Sequence, residues 1–449
     1  MKTQNSKLKA LCSFITLCLC ACSAATQQLT AEQRTAALKK EEMELVQTLI
    51  REFPQSESPI VLMGNVQWRH GNAAEALKFW QEALHTNPKR ADVYKAMGWF
   101  AMGKENYEEA IMHWRKALQA DPQIPGVHNN IARALMGLGK HDEAIEELRK
   151  DIEISPNSSS SYFLLGQGYL QQKEYEKAKA NYEKAISLEP DLTNAYYGLF
   201  TVCARLNQHE KAQEYLAIFK KLKAEDMKVL KDRNDAFNDL LDMRRGAAET
   251  FMFAAKMYQG RSDIYPPDLP AKRMAGEWQA KCEQLLKRAA ELDPNNTVYL
   301  MELASLYGTS NRLSDALAMH KKISELEPNN PVCYLNIGVF SARLKQFVDA
   351  EPAFTKVIVL APESSIGYRF LAQLYLETGT KLPQARDLAQ KAVALEPIAA
   401  NYFVLSWACD TNSDIDSALS AIKKALELDP VNPRYRQMYE LIQKRSSKQ

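Results

Sequence analysis

Apolar and small residues recur along this chain at helical spacing. One apolar or aromatic position is followed three and four residues later by an apolar and then a small one, and a second such pattern starts about twelve residues on. Each block therefore predicts two amphipathic helices. The blocks keep step with proline: Pro88, Pro122, Pro156 and Pro190 are spaced by 34 residues, and so are Pro294, Pro328 and Pro362. A proline that ends each second helix also pushes the residue before it out of the helical region, as in Asn87-Pro88, Asp121-Pro122 and Ser155-Pro156. A tight connection to the next pair follows.

Within one pair, Ile60, Met63, Gly64, Gln67, Ala76, Trp80, Ala83 and Pro88 fill the recurring positions. Tyr94, Met97, Gly98, Ala101, Ala110, Trp114, Ala117 and Pro122 fill them in the next, and Tyr162, Leu165, Gly166, Tyr169, Ala178, Tyr182, Ala185 and Pro190 two pairs later. Gly64, Gly98 and Gly166 with Ala76, Ala110 and Ala178 allow the two helices to approach closely, while Trp80, Trp114 and Tyr182 fill the gap to the neighbouring pair. Leu300, Leu303, Ala304, Tyr307 and Ala316 resume the pattern, followed by Tyr334, Ile337, Gly338, Ala350 and Phe354. Two further units run through Tyr368, Leu371, Ala372 and Ala385, with one extra residue in the turn, and through Tyr402, Leu405, Ser406 and Ala418.

This 34-residue signature resembles the tetratricopeptide repeat family over roughly residues 59–430, Gln67 being a departure. The resemblance implies an all-α fold, an α-solenoid in which about ten antiparallel helix pairs form a right-handed superhelix. It also implies a binding scaffold rather than an enzyme.

The register slips in the middle, where Ala224 replaces the proline and no breaker occurs before Arg245. A long helix over 225–246 is expected there, joining arrays at 59–224 and 247–430, with an inserted loop from Gln259 to Pro270 around Pro266-Pro267. Residues 26–58 contribute a single preceding helix at about 32–53, and 431–449 a polar capping helix. Pro352, inside a second helix, is expected to kink it.

The first 25 residues differ in kind. Lys2, Lys7 and Lys9 precede an apolar run from Ala10 to Ala21 too short to span a bilayer, which reads as an export signal. Leu19-Cys20-Ala21-Cys22 resembles a bacterial lipobox with Cys22 acylated; Ser23-Ala24-Ala25 offers ordinary cleavage instead. An envelope location, lipid-anchored or periplasmic, is expected from either, with secretion as the alternative.

Charge adds an exclusion. Against 57 basic residues stand 55 acidic ones, a net +2, so no field draws nucleic acid. Cys203, Cys282, Cys333 and Cys409 lie far apart at helix positions and are expected as buried free thiols. Gly98 to Lys104 has the spacing of a phosphate loop but continues with Glu105 and lies in a helix. Asp410 to Asp416 begins like a calcium loop yet lacks its glycine and its final glutamate. Neither a metal, a cofactor nor a catalytic constellation is expected.

In the family, partner contacts come mainly from first-helix positions one and five residues after the conserved aromatic. The resemblance therefore marks Asn65, Lys95, Trp99, Asn129, Arg133, Phe163, Gln167, Tyr197, Arg369 and Trp407 as lining a concave groove. Amides and Arg can bond a peptide backbone while Trp and Phe anchor apolar groups, so a protein or peptide is the expected ligand. Stacking of a carbohydrate on the aromatics is the alternative. Lys95 with Asn130 is similar to part of the family's carboxylate clamp, but Trp99 and Leu164 stand where the clamp needs polar groups.

Overall fold

In a computed structural model, which describes residues 30–235, 238–264 and 269–447, every regular element is a helix. The chain divides into two compact units, 1–250 and 251–449. Unit 1 opens with α1 (Ala31–Glu52) and continues in pairs: α2 (Ser58–Arg69) with α3 (Ala73–Thr86), α4 (Ala91–Gly103) with α5 (Tyr107–Ala120), α6 (Val127–Gly137) with α7 (His141–Ile154), α8 (Ser159–Gln171) with α9 (Tyr175–Leu188), and α10 (Thr193–Arg205) with α11 (His209–Asp235). Next comes α12 (Asn238–Ile264), and the boundary between the units falls inside it. Unit 2 continues with α13 (Leu269–Leu292), then α14 (Thr297–Thr309) with α15 (Leu313–Leu326), α16 (Pro331–Arg343) with α17 (Phe347–Leu360), α18 (Ser365–Thr378) with α19 (Leu382–Leu395), α20 (Ala399–Thr411) with α21 (Ile415–Leu428), and a closing α22 (Pro433–Ser446). The helices of each of these pairs pack on each other, and each second helix on the first of the pair that follows, the arrangement of an α-solenoid.

One expectation for the middle needs correction. The segment from Gln259 to Pro270, expected as an inserted loop, is helical through Ile264 and again from Leu269; 265–268, with Pro266 and Pro267, lie outside the described residues. Pro352 lies inside α17, a second helix, as expected.

The repeat works by exchange of volume. A Cβ on Gly64 would lie 2.5 Å from Trp80, and one on Gly166 2.6 Å from Tyr182; Gly98 meets Trp114 and Gly338 meets Phe354 in the same way. All four rings are almost wholly buried. In the α6–α7 pair the same two register positions hold Ala132 and Leu148, both fully buried in one cluster, so here an alanine goes with a side chain smaller than a Trp or Tyr ring. The residues before proline leave the helix as expected, Asn87 at φ −137° and Asp121 at φ −143°.

Another regularity is invisible in the sequence. The turn between the helices of a pair places one residue in the left-handed region every 34 positions: Gly71, Glu105, Gly139, Lys173 and Asn207, then Asn311, Lys345, Gly379 and Ser413. Only three of these are glycine, the residue that adopts this conformation without strain.

Unit 1 also holds a charged node in its interior. Glu42 of α1 is 0% exposed and receives hydrogen bonds from the Arg69 guanidinium, from His70 Nε2 at 2.8 Å and from the Thr250 hydroxyl at 2.6 Å. Arg69 donates to Thr250 as well, at 2.8 Å, and its aliphatic part fills the space a side chain at Gly246 would take. α1, α2 and the first half of α12 are thereby tied together, although 208 residues separate Glu42 from Thr250.

Candidate functional site

In unit 1, position five after each aromatic faces solvent on successive first helices: Asn65 on α2, Trp99 on α4, Arg133 on α6 and Gln167 on α8 are all exposed. Asn65 Oδ1 accepts the indole N–H of Trp80 at 3.0 Å. Trp99, 39% exposed, stands edge-on to Trp114 with ring centroids 5.5 Å apart, so one indole of the pair is core and the other is surface. Lys95 is engaged rather than free: its ammonium donates to the Pro125 carbonyl at 2.9 Å, tying two successive pairs together.

Asn129 does not belong to this surface. It is buried, its amide donating to Ser161 Oγ at 2.8 Å, while the Ser161 hydroxyl donates to Asp151 Oδ2 at 2.6 Å. Asp151 is itself almost wholly buried, and its carboxylate accepts from the Ser161 hydroxyl and from the Asn129 backbone N–H at 3.3 Å, while the Asn129 side chain reaches it only through Ser161.

Three of the expected residues do converge. Phe163, Gln167 and Tyr197 line a cavity of about 570 Å³ across α6, α8 and α10, together with Met136, His141, Leu170, Gln171, Tyr182, Asn194, Gly198 and Thr201. Its floor exists because Tyr182 lies between two glycines: a Cβ on Gly198 would come within 2.5 Å of the Tyr182 ring, and Gly166 faces it from the other side. Phe163 lies tilted against the same ring with centroids 5.9 Å apart, and Tyr197, 52% exposed, leans on Phe219 at 5.2 Å.

The lining holds no Asp, Glu, Lys or Arg. Among the described residues, the amides of Gln167, Gln171 and Asn194 have no hydrogen bond, and His141 Nδ1 is buried without a partner. Aromatic surface beside unspent neutral donors and acceptors suits an extended segment that presents both backbone amides and apolar side chains. His141, Gln171 and Asn194 were not marked in the sequence, since they lie off the aromatic register, His141 opening α7.

The two remaining residues lie in unit 2. Trp407 is half-buried against the cluster around Phe354, Leu371 and Ala408. Arg369 is half-buried with its guanidinium 4.7 Å from the Phe370 ring centre.

The residues of the two incomplete loop motifs have structural partners. Gly98 sits within α4, and the ammonium of Lys104 lies over Phe100 at 4.2 Å. Asp410 accepts from Arg445 at 2.6 Å and Asp414 caps α21, accepting from the Ser417 amide at 3.1 Å. Among the described residues no group of three His, Cys, Asp or Glu could hold a metal, and no helix is long and apolar enough to cross a membrane. Cys203, Cys282, Cys333 and Cys409 are buried and unlinked, and burial pushes the thiols of Cys203, Cys333 and Cys409 upward.

Models of the tetratricopeptide repeat match residues 61–123, 123–189, 169–225 and 399–432. Among solved structures, MamA is 20% identical, with 37% of this chain and 97% of that one covered at a TM-score of 0.35. YrrB, described as a TPR protein with an unusual peptide-binding site, is 22% identical, with 42% and 97% covered at 0.36. Yeast Tom70 is 16% identical, with 88% and 96% covered at 0.34. A comparison with curated proteins finds no match.

Proposed function

The stretches 61–225 and 399–432 are tetratricopeptide repeats, and from that premise we propose that the chain is a scaffold that holds an extended polypeptide against the α6–α8–α10 face of unit 1. The observation that carries this reading is the uncharged cavity at Phe163, Gln167 and Tyr197, with unspent amides on an aromatic floor. Binding, not turnover, is what such a surface can do: it offers anchors and backbone partners but no paired acid and base.

The test is a photo-crosslinking residue at Tyr197 in the cell, with the same residue at Val348, an exposed site in unit 2, as control. The expected result is a protease-sensitive adduct of discrete mass at Tyr197 alone. Gln167→Ala and Asn194→Ala should each weaken binding of the captured segment by roughly fivefold, the value of one hydrogen bond. Adducts that resist protease and yield to glycosidase would reassign the cavity to carbohydrate. No adduct at all would end the proposal.

We extend the proposal to location: residues 1–25, which with Cys22 lie outside the described residues, export the chain to the cell envelope, with Cys22 carrying a lipid anchor. Labelled palmitate should enter the protein and be lost on Cys22→Ala. Labelling that survives this substitution, or none in the parent chain, would remove the anchor.

A further inference from the structure

In unit 2, Tyr334, Tyr368 and Tyr402 open the repeat pattern on α16, α18 and α20, but Leu300 opens it on α14. The next pair shows what that tyrosine does. The Tyr334 hydroxyl donates to the Pro328 carbonyl at 3.2 Å, and the Lys356 ammonium lies over its ring at 5.8 Å. Each contact recurs in unit 1: Tyr196 donates to the Pro190 carbonyl at 2.9 Å, while Lys116 and Lys184 lie over Tyr94 and Tyr162.

Both partners of the ring are present around Leu300. Pro294 and Lys322 keep the same distances along the chain from Leu300 that Pro328 and Lys356 keep from Tyr334. What stands between them is a cavity of about 510 Å³ across α13, α14 and α15, lined by Pro294, Leu300, Met319, Lys322 and Leu326 among others. Among the described residues Lys322 has no hydrogen bond, ion pair or ring. Leu326 leaves 41% of its surface in water.

The chemistry of the cavity selects its occupant. A ring offers its negative face to a cation, and a phenol offers its hydrogen to a carbonyl. The space exceeds what one ring fills, so the residues flanking that ring enter with it. At its edge the exposed Lys287 and Lys322 are matched by the exposed Glu291 and Glu325, a balance that draws neither a polyanion nor a polycation.

We propose that this cavity is a second polypeptide site, on unit 2, which takes a tyrosine side chain of the partner: the ring lies on Leu300 beneath Lys322, and the hydroxyl donates to the Pro294 carbonyl. This rests on the reading that the chain binds polypeptides, but not on the cavity in unit 1.

Leu300→Tyr gives the chain its own ring and closes the site. Random linear peptides selected on the full chain are expected to include a class that carries a tyrosine and binds Leu300→Tyr at least about tenfold more weakly. The melting temperature of that variant should be unchanged or raised, since a cavity is filled. Exchanging the peptide's tyrosine for phenylalanine should weaken binding roughly fivefold, the value of one hydrogen bond. Lys322→Met, which alters only an exposed side chain, should cost about as much, and nothing further once the peptide's tyrosine has become leucine. Peptides that need no tyrosine, or that bind Leu300→Tyr as well as the parent chain, overturn this site and leave the unit 1 proposal standing. If Leu300→Tyr does not fold, Lys322→Met decides: tyrosine peptides that bind it undiminished overturn the site. A full chain that selects no peptide loses both sites.

Discussion

Glu42→Ala is expected to destabilise unit 1 by about 3–5 kcal/mol, the usual cost of breaking a buried ion pair from one side. The carboxylate is 0% exposed, and its loss leaves Arg69, His70 and Thr250 facing a cavity with nothing to accept their hydrogen bonds. In a solenoid such damage stays near its source, so the loss should show as faster amide exchange in α1 and in the first half of α12, with α8 and α9 little affected. Glu42→Gln keeps the shape and most of the acceptor capacity, and should cost less than the alanine. The pH dependence has a definite sign. Burial raises the Glu42 carboxyl, but the hydrogen bond from His70, the charge of Arg69 and the Thr250 hydroxyl together bring it below its ordinary value. A carboxyl depressed on folding adds stability that is complete above its unfolded pKa and disappears as pH falls through the folded one, so the node should be lost only in strong acid. Exchange in α1 unchanged by Glu42→Ala would show that the node is not what holds this helix.

The second large effect is expected at Gly98. An alanine there drives a methyl group into the Trp114 indole, which is fully buried and fixed by its N–H donating to the Lys95 carbonyl at 3.1 Å. The ring has no empty space to move into, so Gly98→Ala should cost about 3 kcal/mol, the upper part of the range for overpacking. The chain contains its own remedy in the Ala132 and Leu148 combination one repeat later. Gly98→Ala combined with Trp114→Leu should therefore recover much of what each change loses alone, and chemical denaturation of the two single variants and the double variant measures that coupling. Simple additivity would mean that the two positions do not exchange volume.

Those two sites differ in how far they could be read beforehand. Gly98 with Trp114 is a spacing within one repeat, and local periodicity brings out both the residues and the reason for their sizes. Glu42 is a charge in a helix whose periodicity marks only Leu38, Val46 and Leu49 as core, and its partner Thr250 lies too far along the chain for any local pattern to pair them. Asn129 was read as surface because its position on the first helix is right for a groove. Its side chain instead finds Ser161, thirty-two residues later on the next pair, which no local pattern connects to it. The candidate cavity was legible in part for the same reason: Phe163, Gln167 and Tyr197 follow from register, whereas His141, Gln171 and Asn194 come from helix ends and from the third dimension. The left-handed turns were hidden because Glu105, Lys173 and Lys345 carry none of the glycine signal that marks such a position.

Those turns also bear on how a gene for such a chain can lengthen. A residue added inside a helix rotates everything after it by about 100°, carrying buried side chains off their face. The α18–α19 connection absorbs its additional residue without that rotation by using two left-handed positions, Gly379 at φ 67° and Lys381 at φ 49°, and α19 still buries Ala385 and Ala392. Tolerated insertions in this protein should accordingly collect at the hairpin tips and bring with them a glycine, asparagine or lysine able to turn the backbone back into register.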